Sequence, residues 1–173
     1  VVAPEAAAPA AAPPRDPNVH ETVLHLSVAD QPWWGDHAFY EQPPGWPCLE
    51  DEFPLVPMTA IIEMLAAEAE ALVPGTVTVA IESVRAFRWL AVEPPADVAV
   101  RATLDVAATE ARGDGITVVR SAIDGHARAT VLVAPAYPPS PQPQAGPVHG
   151  ELPLPVTVER LYEKRHLFHG PAY

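Results

Sequence analysis

The sequence has little cysteine, little basic charge and no long apolar run. Cys48 is the only cysteine among 173 residues, so no disulfide can form within the chain and a reducing cytoplasm is expected. The 10 Lys and Arg residues are outnumbered by 22 Asp and Glu, giving a formal net charge of -12. That balance argues against nucleic acid and anionic membranes as partners, because both bind basic protein surface. No apolar run approaches the ~20 residues of a membrane span, and no secretory signal pattern is present at the N-terminus.

Proline, in contrast, is frequent at 23 residues, and it is clustered. Residues 1–19 are rich in Ala and Pro with almost no large apolar side chain, which predicts a semi-rigid linker. Residues 135–155 predict a second Pro-rich linker. We therefore expect a folded domain at residues 20–134 and the start of another at residues 156–173. A third Pro-rich stretch, residues 42–54, carries large apolar side chains and predicts a structured loop packed on the domain.

Between the linkers, the hydrophobic pattern predicts one helix and several strands. Residues 57–72 predict an amphipathic helix that Pro57 begins and the Pro-Gly pair at residues 74–75 ends. Three acidic residues are expected on its solvated face: Glu63, Glu68 and Glu70. Alternation and turn signals predict strands at residues 20–28, 76–84, 87–92, 97–109, 115–123 and 126–134. One long helix followed by an antiparallel meander is an α+β arrangement. A helix wrapped by a curved antiparallel sheet is the hot-dog fold.

His37 is the strongest candidate for chemistry. It precedes the start of the predicted helix, and a histidine near a helix N-terminus can act as a base on a substrate whose carbonyl the helix end polarises. Its neighbour Asp36 is expected to be a loop carboxylate, since adjacent residues of an extended segment point to opposite sides. Cys48 has no basic neighbour that would activate its thiol, so a nucleophilic role is not expected. No metal site is expected.

Two motifs carry a family resemblance. His37, Gly45 and the Leu-Val-Pro sequence at residues 55–57 resemble the HxxxGxxxxP motif in the first hot dog of dehydratase domains from modular polyketide and polyunsaturated-fatty-acid synthases. The segment HGPAY at residues 169–173 is similar to the (Y/H)GPxF segment that opens the family's second hot dog after a Pro-rich linker. The resemblance covers about residues 21–173.

The sequence departs from that motif in its spacing. His37 and Pro57 lie 57 − 37 = 20 positions apart where the family motif has 9, so about 11 residues are inserted, a length more typical of a functional or capping loop. Gly45 matches the motif glycine loosely. Met58 stands where a glycine often follows the motif proline, but its backbone N–H remains a donor.

The resemblance implies an α+β hot dog that forms the first half of a double hot dog. It implies dehydration of a 3-hydroxyacyl thioester carried on the phosphopantetheine of an acyl carrier protein, with His37 taking the C2 proton. The substrate would contact seven residues: Gly45, Val56, Pro57, Met58, His169, Gly170 and Pro171. No directly bound cofactor is implied. The partners would be the carrier protein and neighbouring synthase domains, in a homodimer.

The family's catalytic aspartate belongs to the second hot-dog helix, which lies beyond residue 173. The chain alone is therefore expected to be nearly inactive. Two alternatives stay open from the sequence: an enoyl isomerase that uses the same histidine, and a non-catalytic hot-dog module that scaffolds a synthase dimer. A hot-dog thioesterase is disfavoured, because it would not explain the segment at residues 169–173.

Overall fold

The computed structural model describes residues 16–142, 146, 150, 152–153 and 155–163. The strands are β1 (Val19–Leu26), β2 (Val77–Ala86), β3 (Ala96–Leu104), β4 (Thr117–Ile123) and β5 (Ala127–Ala134). The α-helices are α1 (Met58–Leu72), α2 (Val106–Arg112) and α3 (Val158–Glu163), and short 3-10 turns occupy Pro32–Asp36 and Leu49–Glu52. Within the described part of the chain, no helix combines the length and the apolar character that crossing a bilayer would require.

The five strands form one antiparallel sheet in the order β1-β3-β4-β5-β2. Helix α1 lies against one face of this sheet and contacts all five strands. One long helix held against an antiparallel sheet is the predicted α+β hot-dog architecture, so the expected fold is confirmed. The sheet begins at Val19 and ends at Ala134, whereas the proposed linkers on either side stay predictions.

The core lies between α1 and the sheet. Ile61, Leu65 and Ala69 recur at helical spacing along α1 and are all buried. Alternate residues of the strands meet them, among them Val100 and Val131, because successive side chains of a strand point to opposite faces. The 3.6-residue period of the helix and the two-residue period of the strands therefore determine which faces of α1 and the sheet pack together.

Leu65→Ala is expected to destabilise the fold by about 2–5 kcal/mol, because the substitution leaves a cavity in a close-packed core. Leu65 has no exposed surface. The free energy of unfolding from urea titration measures the loss. Leu152→Ala makes the same chemical change at a side chain that is 89% exposed and should leave stability nearly unchanged. Equal effects of the two substitutions would contradict this account of the core.

One predicted strand is shorter than expected, and another is absent. Residues 97–109 were expected to form one strand, but β3 ends at Leu104 and α2 follows. Asp105 caps α2, since its carboxylate accepts the N–H of Ala108 at 3.0 Å, and Gly113 ends it in a left-handed conformation at φ +64°. Residues 87–92 make no strand: apart from one bridge between Ala91 and Leu55, they form an irregular connection.

The expectation of a fully solvated acidic face on α1 was also wrong. Glu63 is exposed, but Glu68 is buried and its Oε1 lies 2.7 Å from Nδ1 of His20 on β1. Glu70 accepts the backbone N–H of Thr78 at 2.7 Å, at the start of β2. A buried carboxylate is tolerated when a partner satisfies it, and here the partners come from the strands that pack beside α1.

A second histidine on β1 also has a carboxylate partner. Nδ1 of His25 lies 2.7 Å from Oδ1 of Asp97, its cross-strand neighbour on β3. The hydrogen bond to Asp97 raises the pKa of His25 above its ordinary value of 6.5, and the negative charges of Asp97 and Asp30 act in the same direction. Desolvation opposes them only in part.

We expect Asp97→Asn to lower the pKa of His25 towards its ordinary value, measured by NMR titration of the imidazole Cε1–H. Because the folded pKa is raised, the pair's contribution to stability is complete below about pH 6.5 and is lost as the pH rises through the folded pKa. The thermal midpoint of the wild type should therefore exceed that of Asp97→Asn mainly at acidic pH. Asp114→Asn, at a distant turn, should leave the His25 titration in place. An unchanged titration in Asp97→Asn would contradict the assignment.

Candidate active site

His37 lies where the first 3-10 turn meets the segment that leads into α1. Its backbone N–H donates to the Trp34 carbonyl at 3.0 Å, which closes the turn, and its carbonyl accepts the N–H of Leu55 at 2.9 Å. The imidazole is half-buried, with Nδ1 3.2 Å from the Leu55 carbonyl oxygen. The backbone and the ring of His37 are thus both bonded to Leu55, two residues before the Pro57 cap of α1.

The Leu55 carbonyl determines which ring nitrogen can act as a base. A carbonyl oxygen only accepts hydrogen bonds, so Nδ1 of a neutral His37 must carry the hydrogen. The lone pair of the neutral ring is then on Nε2. This arrangement of backbone carbonyl and imidazole suits general-base chemistry, in which the ring orientation and tautomer are held before substrate arrives.

The N-terminus of α1 presents backbone donors from Met58 onward, three residues after the Leu55 that His37 contacts. Pro57 caps the helix in an extended conformation at φ −66° and ψ 152°, and no side chain caps the first turn. Ile61 is the first residue whose N–H bonds back along the helix, to the Pro57 carbonyl at 3.1 Å. Within residues 16–142, the Met58 N–H has no acceptor. A first-turn N–H and the helix dipole both favour a negatively charged or polarised oxygen at this position.

A cavity of about 370 Å³ opens at the same helix end. Its lining is mostly apolar and combines the start of α1 with the segment that follows β2: Val56, Met58, Ile61, Ala86, Phe87, Arg88 and Trp89. The N–H of Val56 donates to the Leu90 carbonyl at 2.9 Å, which joins the two walls. This volume is within the range of small-molecule sites. Neither His37 nor Leu55, whose carbonyl its ring contacts, is one of the lining residues.

Aromatic side chains connect the long loop of residues 42–54 to the cavity wall. Phe53 stacks on Phe39 with ring centroids 5.8 Å apart, and Phe39 meets Trp89 edge to face at 4.8 Å. Such pairs are each worth about 0.5–1.5 kcal/mol beyond their burial. Inside the loop, the indole N–H of Trp46 donates to the Asp51 carboxylate at 2.7 Å. The loop is therefore held by its own hydrogen bonds and rests on the aromatic rings beside the cavity.

The structure brings some of the predicted substrate residues together and leaves others apart. Val56 and Met58 line the cavity, with Pro57 between them. Gly45 lies in an exposed turn that the Trp46 N–H closes onto the Pro43 carbonyl at 3.0 Å, and its φ of +83° accounts for the glycine. It does not line the cavity. The predictions for three residues lie outside the described part of the chain: His169, Gly170 and Pro171.

Sequence reasoning missed the second wall of the cavity. Residues 87–89 were expected to begin a strand, whereas they follow the end of β2 at Ala86 and line the cavity at the start of α1. The available signal was the pair of aromatic residues two positions apart, Phe87 and Trp89, which are both 60% exposed here. Two further tryptophans lie away from this cavity: Trp34 is buried in the core, and Trp33 lines a separate groove.

No group of three or more metal-ligating side chains is found in the part of the chain that the structure describes. The described residues of this site supply an imidazole, a backbone N–H donor and an apolar cavity. Arg88 is the charged side chain on the cavity lining.

No family model and no curated protein sequence matches the chain. Among solved structures, it is similar to a variant of the GphF dehydratase, with a TM-score of 0.54 and 20% identity over 92% of this chain and 53% of that one. It also matches the dehydratase domain of a mycocerosic acid synthase-like PKS, with a TM-score of 0.47 and 17% identity over 87% of this chain and 42% of that one. The chain thus spans about half the length of these two structures, and the similarity to the GphF structure shows that the two share a fold.

Proposed function

We propose that this chain is the first hot dog of a dehydratase domain in a polyketide or polyunsaturated-fatty-acid synthase. The domain would remove water from a 3-hydroxyacyl thioester carried on the phosphopantetheine of an acyl carrier protein. The observation that carries the proposal is the hydrogen bond between Nδ1 of His37 and the carbonyl of Leu55, which orients the imidazole against the segment that leads into α1. The shared fold supports the family, and the two sequence motifs support the reaction.

In the proposed reaction, Nε2 of His37 takes the proton from C2 of the acyl group. The electrons of that C–H bond form the C2–C3 double bond as the C3–O bond breaks. The departing hydroxyl takes a proton from an acid and leaves as water; the resemblance assigns that acid to an aspartate of a second hot dog. The Met58 N–H at the helix end would receive the thioester oxygen, on which negative charge develops.

The acyl chain would occupy the apolar cavity between α1 and residues 86–89. Apolar walls with few polar groups suit an acyl thioester, because its recognition needs a cavity that fits the acyl chain and one hydrogen bond to the carbonyl. The carrier protein, the neighbouring synthase domains, a homodimer and a cytoplasmic location belong to this proposal as implications of the same resemblance.

The test is product analysis of the complete two-hot-dog domain with a carrier-bound 3-hydroxyacyl substrate. The expected product is an α,β-unsaturated thioester that is lighter than the substrate by one water molecule, about 18 mass units. Mass spectrometry detects it after release of the acyl group. No loss of water from the wild-type domain would reject the dehydratase. Conversion of an added enoyl thioester without loss of water would instead indicate the isomerase. If replacing His37 changed the size of the assembly but left the products unchanged, the domain would be a scaffold.

A further inference from the structure

The face of the sheet that points away from α1 carries one arginine on each of four adjacent strands. Val100 and Ala102 of β3 pack into the core, so Arg101 between them points outward. The strand register places the other three on the same face, and all four line a depression of about 510 Å³: Arg85, Arg101, Arg120 and Arg128. Four of the 10 basic residues of an acidic chain therefore gather at one place.

Two of these arginines already have carboxylate partners. Nε of Arg101 donates to Glu21 at 2.6 Å. Nε of Arg120 donates to Asp105 at 2.9 Å, and its Nη1 donates to the Thr130 hydroxyl at 2.8 Å. Their charges are compensated by the protein itself, and the bonds hold both guanidinium groups at the rim of the depression.

The other two arginines face each other without a carboxylate. Arg85 of β2 and Arg128 of β5 are directly opposite in the register, and like charges in that relation destabilise a sheet. Among the described residues, neither makes an ion pair, and Glu82 on the same face pairs with neither of them. Arg128 is held in place, because its guanidinium lies 5.2 Å from the centre of the Phe87 ring.

The backbone beside Arg85 is irregular in a way that suits a binding site. The pairing of β2 with β5 shifts between Glu82 and Arg85, which is a bulge. Ser83 within it has a φ of +53°, a conformation that costs a non-glycine residue energy. Bulges and strained residues of this kind occur preferentially next to functional sites, where they redirect a side chain. Ser83 also lines the depression.

We propose that Arg85 and Arg128 bind the phosphate group of a small organic phosphate on the outer face of the sheet. A phosphate monoester carries close to two negative charges, which matches two uncompensated guanidinium groups, and arginine binds phosphate oxygens through two parallel N–H donors. The anion removes the repulsion between the two arginines. The depression exceeds the size of a bare phosphate and has room for an organic moiety between Ser83 and Thr130.

Isothermal titration calorimetry of the full 173-residue chain at low salt, with glycerol 3-phosphate and inorganic phosphate as probes, tests the proposal. Both should bind saturably at one site, glycerol 3-phosphate more tightly. Arg85→Ala and Arg128→Ala should each weaken binding by about 10- to 100-fold, the factor that corresponds to losing a charge-assisted contact. Arg85→Lys keeps the charge but not the paired donors and should weaken binding less. Arg112→Ala, whose arginine pairs with Asp114 at a distant turn, is the matched control.

Thermal unfolding separates a binding role from a structural one. Without phosphate, Arg85→Ala should melt no lower than the wild type, because it removes one of two repelling charges. With phosphate, the wild type and the Arg112→Ala control should gain more stability than Arg85→Ala and Arg128→Ala. The proposal is overturned if neither probe binds the wild type, if Arg85→Ala binds as tightly as the wild type, or if a carboxylate-rich peptide binds this face and the phosphates do not.

Discussion

Replacing His37 with alanine is expected to slow water loss from a carrier-bound 3-hydroxyacyl thioester by about 10²–10⁴-fold in the complete domain. The imidazole is the group held against the Leu55 carbonyl next to the start of α1. Alanine removes the proton acceptor but leaves the backbone hydrogen bond between the two residues in place. Single-turnover kinetics with mass detection of the enoyl product measures the effect on the chemical step itself.

A second substitution separates the loss of the base from a loss of structure. In His37→Asn, the side-chain amide can still donate to the Leu55 carbonyl, but it cannot accept a proton from C2. We expect it to be as inactive as His37→Ala while unfolding at the temperature of the wild type. His25→Ala, which removes an exposed histidine on β1, should keep wild-type activity. Water loss at the wild-type rate in both His37 variants would show that another group is the base.

Local sequence signals were sufficient for most of the fold. The 3.6-residue period of α1, its N-terminal proline and the Pro-Gly pair after it specify a helix whose observed bounds are Met58–Leu72. Turn residues separate the strands. The short helix α2 was not predicted, although Asp105 and Gly113 are local signals for its two ends, because the apolar alternation before Asp105 favours a continued strand.

Features that depend on distant residues could not be predicted in the same way. Most helix glutamates are solvated, and only the approach of His20, 48 positions away in sequence, explains why Glu68 is buried. His37 was identified from its motif, yet its hydrogen-bond partner Leu55 lies 18 positions later in the sequence, on the other side of the inserted loop. Such contacts are set by tertiary packing, for which a single sequence carries no periodic signal.

Met58→Pro is expected to lower kcat by about 10²–10³-fold, the usual cost of removing one donor to a developing oxyanion. Proline has no N–H, so the substitution deletes the donor that we assign to the thioester oxygen. The helix should tolerate it, because Met58 is the first helical residue and proline is favoured there. Pro57 already has the extended conformation, at ψ 152°, that a following proline requires.

The control for this prediction is Met58→Ala, which removes the side chain from the cavity wall and keeps the N–H. If the backbone donor acts mainly in the transition state, Met58→Pro should lower kcat and kcat/KM together, whereas Met58→Ala should mainly alter KM. Circular dichroism and the thermal midpoint of the two variants establish that α1 is retained. Equal kcat values in the proline and alanine variants would remove the Met58 N–H from the mechanism. The helix dipole and the apolar cavity would then be the remaining contributions of α1 to the site, since neither depends on that single donor.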